Sequence, residues 1–512
     1  MNHAMNSIKL IYLKDFVVIN GYVNTIHYFS DFSKAALDEH TILFYQKSKV
    51  QSHCSLINNN QKNEIQWNNS FYPIFHYKSD KYEILTPNYE NLLKLNLPLS
   101  LNDKGIREFI LFNTCLQDHT FHNEVYRLTG IEKIVFENSK LNFHFKIRDI
   151  PQVGLKERFT EKIESLIAAF KEYNHGVFLS GGGESRINAA ITHAYNFRKD
   201  FITWGHPQDK EYLIASQIAK KLNTKIINVR PDSSNLPYNE LLEKTGFLVN
   251  MQYAYRYAAV KQLFEQFDYD VIWTGWGDVN GYPTMYQPSE LFSDYYLGLY
   301  EGENRYPAGW NKDWLHDFAI RDSYIREHIK DNPSKKTFFQ LKQSLFAPHI
   351  FGQVLSIENT LGVVFAPWFH PDIYAAIQYE EKLNEKLINH KLHRTLWKNE
   401  LYFQLVKRYC SELNHIKNSK GYYPWWVRKR YGVAGLLLAA VFKLLNSKKS
   451  YPFDAVEDKF FMKEELERIV EEGGDIFDKK DISNIIRNID DWKGSDILEY
   501  FKIIQVHWFL KR

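Results

Sequence analysis

Beyond about residue 150 the chain alternates short apolar runs with helical patterns, and this alternation restricts the folds open to it more than any other feature. The first apolar run, His175-Gly176-Val177-Phe178-Leu179, ends in a glycine-rich turn. The second is Phe201-Ile202-Thr203-Trp204-Gly205. Leu213, Ile214, Ala215, Ile218, Ala219 and Leu222 then recur at helical spacing. Thr224-Lys225-Ile226-Ile227-Asn228-Val229 reads as a third strand, residues 239–267 as a long helical region, and Tyr269-Asp270-Val271-Ile272-Trp273 as a fourth strand. Parallel strands need long crossovers, and helices make them, so this order predicts a parallel sheet covered on both faces.

At 512 residues the chain is too long for one small core. Its first 150 residues read as mostly β. Ile8-Lys9-Leu10-Ile11-Tyr12-Leu13, Tyr72-Pro73-Ile74-Phe75-His76-Tyr77 and Lys140-Leu141-Asn142-Phe143-His144-Phe145 have strand composition, with turn stretches such as Asn58-Asn59-Asn60-Gln61 between them. One helix is predicted over residues 103–116. The expected division is therefore residues 1–150 and 151–512. After about residue 285 the pattern is mainly helical, with a mixed stretch over 294–332. A helical tail, about 430–512, carries charged amphipathic segments such as Lys463-Glu464-Glu465-Leu466-Glu467-Arg468-Ile469-Val470.

Charge and cysteine usage exclude several classes. The net charge of +3 is too even for the basic face that nucleic-acid binding requires, so no nucleic-acid partner is expected. Cys54, Cys115 and Cys410 are odd in number and lack CxxC spacing, which argues against a disulfide framework or a zinc site and fits a reducing, cytoplasmic setting. Met1-Asn2-His3-Ala4-Met5-Asn6-Ser7 has no apolar signal core. No run reaches the roughly 18 to 20 apolar residues of a spanning helix. The nearest is the stretch 433–442, flanked by Trp425, Trp426, Arg428, Lys429, Arg430 and Lys443; a buried helix with snorkelling neighbours is favoured there over a peripheral membrane contact. The 33 Tyr, 36 Phe and 12 Trp are read first as packing, with a carbohydrate-binding N-terminal sheet as an alternative.

The segment that carries chemistry is Ser180-Gly181-Gly182-Gly183-Glu184-Ser185-Arg186. It follows a strand and opens a helix. Small residues let the backbone approach a ligand, and N–H groups at a helix start form an anion cradle. Ser180 and Ser185 add hydroxyl donors, and the Glu184 carboxylate suits Mg2+ beside phosphate oxygens. No Lys follows, so this is not a GxxxxGK[ST] phosphate loop.

The segment resembles the SGGxDS pyrophosphate loop of ATP pyrophosphatases, and within them the asparagine synthetase family. Thr203, Trp204 and Gly205 with the following helix look like its nucleoside-binding strand, and Thr274-Gly275-Trp276-Gly277-Asp278 is similar to its SGxGxD turn. Ile357-Glu358-Asn359 with Ala366-Pro367-Trp368-Phe369-His370-Pro371-Asp372 looks like its E-x-R-x-P-F-L-D region. Lys391-Leu392-His393-Arg394 resembles its K-x-x-R segment, and Lys417-Asn418-Ser419-Lys420-Gly421-Tyr422-Tyr423-Pro424 its R-x-K-x-G-F-x-x-P loop. Asn69-Ser70-Phe71-Tyr72-Pro73-Ile74-Phe75 and the stretch 112–128 are similar to parts of its glutaminase domain.

The resemblance implies an α/β chain: an N-terminal mostly-β, Ntn-like domain, then a doubly wound parallel-sheet domain of the HUP/PP-loop kind with a helical C-terminal extension. It implies ATP bound by Leu179, Ser180, Gly181, Gly182, Gly183, Glu184, Ser185, Thr203, Gly205, Thr274 and Gly275, with Mg2+ on Glu184 and Asp278. Asp278, Lys417 and Lys420 are its catalytic candidates, and its substrates are a small-molecule carboxylate and an amine or ammonia donor. A homodimer stays open. The pattern also departs from the family. Asn2 stands where the glutaminase nucleophile is a Cys, so no glutamine hydrolysis is expected. Glu184 replaces an Asp, the turn before Asp278 is one residue short with Trp276 in an acidic position, and Lys420 is one place beyond the expected Lys, which falls on Ser419. A nucleotide-binding scaffold without turnover is therefore the second expectation.

Overall fold

The structure, a computed structural model, describes most of residues 72–145, 172–276, 351–369, 391–426 and 455–512, with 308–315, scattered positions of 157–164, 373 and 434–441, and the backbone of five strands before residue 68. The expected strand at residues 8–13 lies outside the described residues, as do Asp278 and Lys420. Among the described residues no helix is long and apolar enough to cross a membrane.

Among the described residues ten strands come first: β1 (Asp15–Ile19), β2 (Thr25–Tyr28), β3 (Thr41–Tyr45), β4 (Cys54–Asn59), β5 (Lys62–Trp67), β6 (Ile74–Lys78), β7 (Glu83–Thr86), β8 (Val125–Leu128), β9 (Ile131–Glu137) and β10 (Lys140–Phe145). They form a six-stranded sheet in the order β2-β3-β1-β7-β6-β8 and a four-stranded one in the order β10-β9-β5-β4. Helices α1 (Tyr89–Lys94) and α2 (Asp103–Phe112) lie between β7 and β8 in sequence.

The second half supplies a five-stranded sheet built from β11 (Asn174–Phe178), β12 (Arg198–Trp204), β13 (Ile226–Val229), β14 (Val271–Trp273) and β15 (Val363–Phe365). Its order is β13-β12-β11-β14-β15, and every pairing in it is parallel. The connecting helices are α3 (Gly183–Ala194), α4 (Lys210–Lys221), α5 (Tyr238–Thr245), α6 (Ala254–Gln266) and α7 (Gln353–Leu361), followed by α8 (Lys391–Cys410). Successive strand residues point to opposite faces. Val177, Phe201, Val271 and Trp273 join a core with residues of α3, α4 and α8. Phe178, Ile202, Ile227, Ile272 and Val364 join another with residues of α6 and α7. The sheet is thus covered on both faces, which is why successive residues of its strands are apolar on either side. The winding runs one way through β11, β12 and β13 and the other way through β14 and β15, so it reverses between β11 and β14.

Two sequence expectations need correction. Residues 239–267 are not one helical region. α5 ends at Gly246, whose φ of +61° is left-handed, and Asn250 caps a short 3-10 turn, Met251–Tyr253, before α6 begins. The mainly helical pattern after residue 285 also hid β15, whose three residues are too few for any periodicity to register.

The largest core takes residues from both sides of residue 150. Phe109, Phe121 and Val125 pack with Leu241, Met251 and Tyr257, and with Ile469, Ile504 and Phe509. The last of these come from α9 (Ala455–Glu472) and α11 (Gly494–Leu510), which with α10 (Lys479–Arg487) make up the described part of the tail. Buried polar bonds reinforce the joint. Arg127 donates to Gln353 Oε1 at 3.0 Å and Lys502 Nζ to the Ile110 carbonyl at 3.0 Å, while within the second half Gln505 Nε2 donates to the Phe247 carbonyl at 2.6 Å.

Candidate functional site

The glycine-rich turn leaves central strand β11 and enters α3. Leu179 N–H donates to the Ile202 carbonyl at 2.7 Å, carrying the ladder one residue past β11. Ser180 and Ser185 turn their hydroxyls inward. Ser185 Oγ accepts from Ser180 N–H at 3.1 Å, the two Oγ atoms lie 3.0 Å apart, and Ser180 Oγ accepts from Gly182 N–H at 3.1 Å. These bonds fix the shape of the turn. Gly182 is the helix N-cap and has no side chain to offer the first turn of α3. A Cβ built on Gly182 would stand 3.2 Å from Ser180 Oγ, 3.6 Å from Glu184 Oε2 and 3.9 Å from Ser185 Oγ. The space over Gly182 is therefore edged by oxygen, the donor set that Mg2+ prefers.

The neighbouring strand ends converge on the same edge. Thr203 is buried at the end of β12. Gly205 follows with φ +102°, its carbonyl accepting from Asn228 Nδ2 at 3.1 Å. Thr274 is buried after β14; its N–H donates to Phe365 O at 2.9 Å and its carbonyl accepts from Asn188 Nδ2 of α3 at 3.0 Å. A Cβ on Gly275 would come within 2.9 Å of Ser185 N, so the chain after β14 lies directly on the first turn of α3. This is the edge of the reversal between β11 and β14, where open α/β sheets leave a crevice.

The far wall comes from residues 411–426. Arg186 is 1% exposed and reaches across to three backbone carbonyls, Leu413 at 3.1 Å, Ile416 at 2.7 Å and Lys417 at 2.9 Å. Burial pulls its pKa down to about 10, still far above neutrality, so it remains a cation. Ser419 N–H donates to the Gly181 carbonyl at 3.1 Å. Tyr402 of α8 lays its ring on Gly183, where a Cβ would meet Cδ2 at 2.4 Å, and donates its phenol hydroxyl to Glu184 Oε1. Lys417 is exposed, with Nζ 5.6 Å from the ring centre of Tyr423.

A second polar group lies beside the crevice. Arg256 of α6 and Glu358 of α7 form a buried ion pair, with Nη2 donating to Oε2 at 2.8 Å and Nε 2.6 Å from Oε1. The guanidinium lies 3.8 Å from the ring centre of Trp276, with Phe178 and Trp204 at 5.7 and 5.9 Å. Burial raises the Glu358 pKa, against the attraction of Arg256.

The predicted ATP-binding residues Leu179 to Ser185, Thr203, Gly205, Thr274 and Gly275 therefore share one edge of the sheet, and Lys417 belongs to the wall facing it. His370, Asp372 and His390 lie outside the described residues; Lys391, His393 and Arg394 begin α8, where only the backbone is described. Sequence reasoning missed Tyr402 and Arg256, and it quoted Arg186 without a role. A lone charged residue in the apolar text of Ala254-Tyr255-Arg256-Tyr257-Ala258-Ala259 was the available signal for Arg256. In the N-terminal half, Cys115 is fully buried, its thiol donates to the Gly105 carbonyl at 3.2 Å, and burial pushes its pKa far up, so it is no nucleophile. Among the described residues no three His, Cys, Asp or Glu side chains gather as a metal cluster. No protein-family model matches the chain, and no curated protein matches it.

Proposed function

We propose that this chain is an ATP-dependent, amide-forming ligase of the asparagine synthetase type. In this reading residues 151–512 are a HUP-type PP-loop domain, and residues 1–150 an Ntn-like domain without glutaminase activity. The observation that carries it is the position of the Ser180–Glu184 turn: it joins the central strand to a helix start, beside the reversal point of a parallel sheet. The inert burial of Cys115 supports the absence of glutaminase activity.

The proposed reaction has two steps. A carboxylate oxygen of the substrate attacks the α-phosphorus of ATP and pyrophosphate leaves; an amine then attacks the acyl carbon and AMP leaves. Mg2+, when bound, offsets the phosphate charge that would otherwise repel Glu184. The N–H groups at the start of α3 hold phosphate oxygens, and Leu179, Thr203, Gly205, Thr274 and Gly275 line the nucleotide's edge of the sheet. Glu184 and Asp278 are the proposed metal ligands, with Tyr402 orienting the Glu184 carboxylate. Lys417 and Lys420 steady the negative charge that develops at the reacting phosphate. The work asked of the protein is positioning and charge stabilisation.

The test is magnesium-dependent ATP–pyrophosphate exchange against a panel of carboxylates, amino acids and uronic acids, with Glu184→Ala as control. Exchange that needs one carboxylate and vanishes in the variant is the expected result. One observation favours the second reading, a nucleotide-binding scaffold: the Glu184 carboxylate and both serine hydroxyls already have partners within the protein. ATP binding without exchange under every carboxylate would select it.

A further inference from the structure

We infer that Arg186 is a positioning residue that locks residues 413–419 to the glycine-rich turn, so that Lys417 moves with the nucleotide-binding edge. The role given to Lys417 rests on the ligase reading above; the lock itself rests on geometry. Arg186 is the residue after Ser185 on α3, yet its guanidinium reaches the other wall, where its two terminal nitrogens donate to the carbonyls of Leu413, Ile416 and Lys417. Two residues further on, Ser419 N–H closes on Gly181 O at 3.1 Å. The backbone from Lys417 to Ser419 is therefore pinned at both ends to one strand–turn–helix unit.

The choice of side chain argues for a geometric task. Burying a guanidinium is expensive, and among the described residues no carboxylate pairs with it to offset that cost. A planar fork can serve three carbonyls on one turn of chain; a lysine ammonium on a flexible stem cannot hold them in register. The carbonyls belong to and follow the short 3-10 turn Ser411–His415, whose C-terminal end is electronegative.

The test uses the full chain as wild type, Arg186→Lys, Arg186→Met, Lys417→Ala and the Arg186→Met/Lys417→Ala double variant. Steady-state ATP–pyrophosphate exchange is measured together with hydrogen exchange over residues 411–426, with Mg-ATP as the probe. A residue acting through loop position should leave the KM for ATP within about threefold and lower kcat by about 100-fold, the scale of a roughly 1 Å misplacement. Once Lys417 is removed, Arg186→Met should cost little more, because both changes disable one loop. Mg-ATP should slow hydrogen exchange at 411–426 in wild type and not in Arg186→Lys. Additive kcat losses, or unchanged kcat in a folded Arg186→Met, overturn the inference while leaving the ligase reading intact. If wild type exchanges pyrophosphate with no carboxylate, the ligase reading fails and hydrogen exchange decides alone: equal slowing by Mg-ATP in wild type and Arg186→Lys, or none in either, then overturns the lock.

Discussion

The backbone N–H of Ser419 donates to the carbonyl of Gly181 at 3.1 Å, and a Cβ on Gly181 would stand 2.7 Å from Ser419 Cβ and 3.0 Å from Ser419 N. At Gly182, one residue on, the three atoms nearest a Cβ are all oxygens, the closest at 3.2 Å, and its φ of −74° suits any residue. Adjacent glycines thus answer to different demands, Gly181 to docking of the far wall and Gly182, in the proposed reading, to space for a nucleotide. Gly181→Ala should destabilise the protein by about 1–3 kcal/mol, the cost of overpacking against backbone. Gly182→Ala should change stability by no more than about 0.5 kcal/mol yet weaken Mg-ATP binding by about tenfold or more, by filling the oxygen-edged space. Thermal unfolding and calorimetric titration of both variants check this. Undiminished ATP affinity in Gly182→Ala would remove the turn from the nucleotide site.

The Arg256–Glu358 pair predicts an asymmetry between single and double substitutions. Glu358→Gln leaves a buried guanidinium without its counter-ion and should cost about 3–5 kcal/mol, although Gln nearly matches Glu in shape. Adding Arg256→Met to that variant should restore part of the loss, since no isolated buried charge then remains. Urea unfolding of the two singles and the double gives the coupling. Simple additivity would mean that the two groups do not sense each other, contrary to their 2.8 Å hydrogen bond.

His122 gives the fold an acid-side slope. Its Nδ1 is hydrogen-bonded to the Tyr89 hydroxyl, and its ring is stacked on Tyr89 and edged by Phe509. Burial pulls its pKa down from the usual 6.5 to about 4, with Glu124 pulling weakly the other way. The unfolded chain therefore takes up the proton first as pH falls. The stabilisation is complete above pH 6.5, declines between 6.5 and 4, and is gone below about 4. Across that window unfolding free energy should fall more steeply in wild type than in His122→Gln, by at most about 1 kcal/mol per pH unit. Parallel pH profiles would show that this imidazole titrates as it does in the unfolded chain.

How much of this was legible in the sequence depends on range. β11 to β14 and α4 each announce themselves within a dozen residues, the strands through short apolar runs and the helix through the stripe Ile214, Ala215, Ile218 and Ala219. So does the strand–turn–helix setting of Ser180 to Ser185. β15 was hidden because Val363, Val364 and Phe365 become a strand only by pairing with Val271, Ile272 and Trp273. The partners of Glu184 and Arg186 were hidden for the same reason. Tyr402 and the carbonyls of 413–417 lie more than two hundred residues away in sequence, and no local pattern marks a tyrosine as the one that will sit on a given glycine. The break at Gly246 was readable in principle. Its glycine lies inside a helical stripe, but the stripe Leu241, Leu242, Thr245, Leu248 hid the reversal of φ.

That break makes the last prediction. Gly246 ends α5 with φ +61°, and a Cβ there would overlap the Tyr89 ring, 2.4 Å from Cδ2. Tyr89 is itself fully buried in the core shared by the two halves of the chain. Gly246→Ala therefore carries two penalties: about 1 kcal/mol or more for the left-handed backbone, and about 1–3 kcal/mol for the clash, since a core ring has nowhere to retreat. Tyr89→Leu in the same background should relieve the second and leave the first. Gly474 is the control, because a Cβ there meets nothing within 4 Å and its φ is not in the left-handed range, so Gly474→Ala should be neutral to within about 0.5 kcal/mol. Thermal midpoints of the three variants decide the matter. If Gly246→Ala melts with wild type, residues 239–267 form the single helical region that their periodicity suggests, and Tyr89 does not pack where the fold puts it.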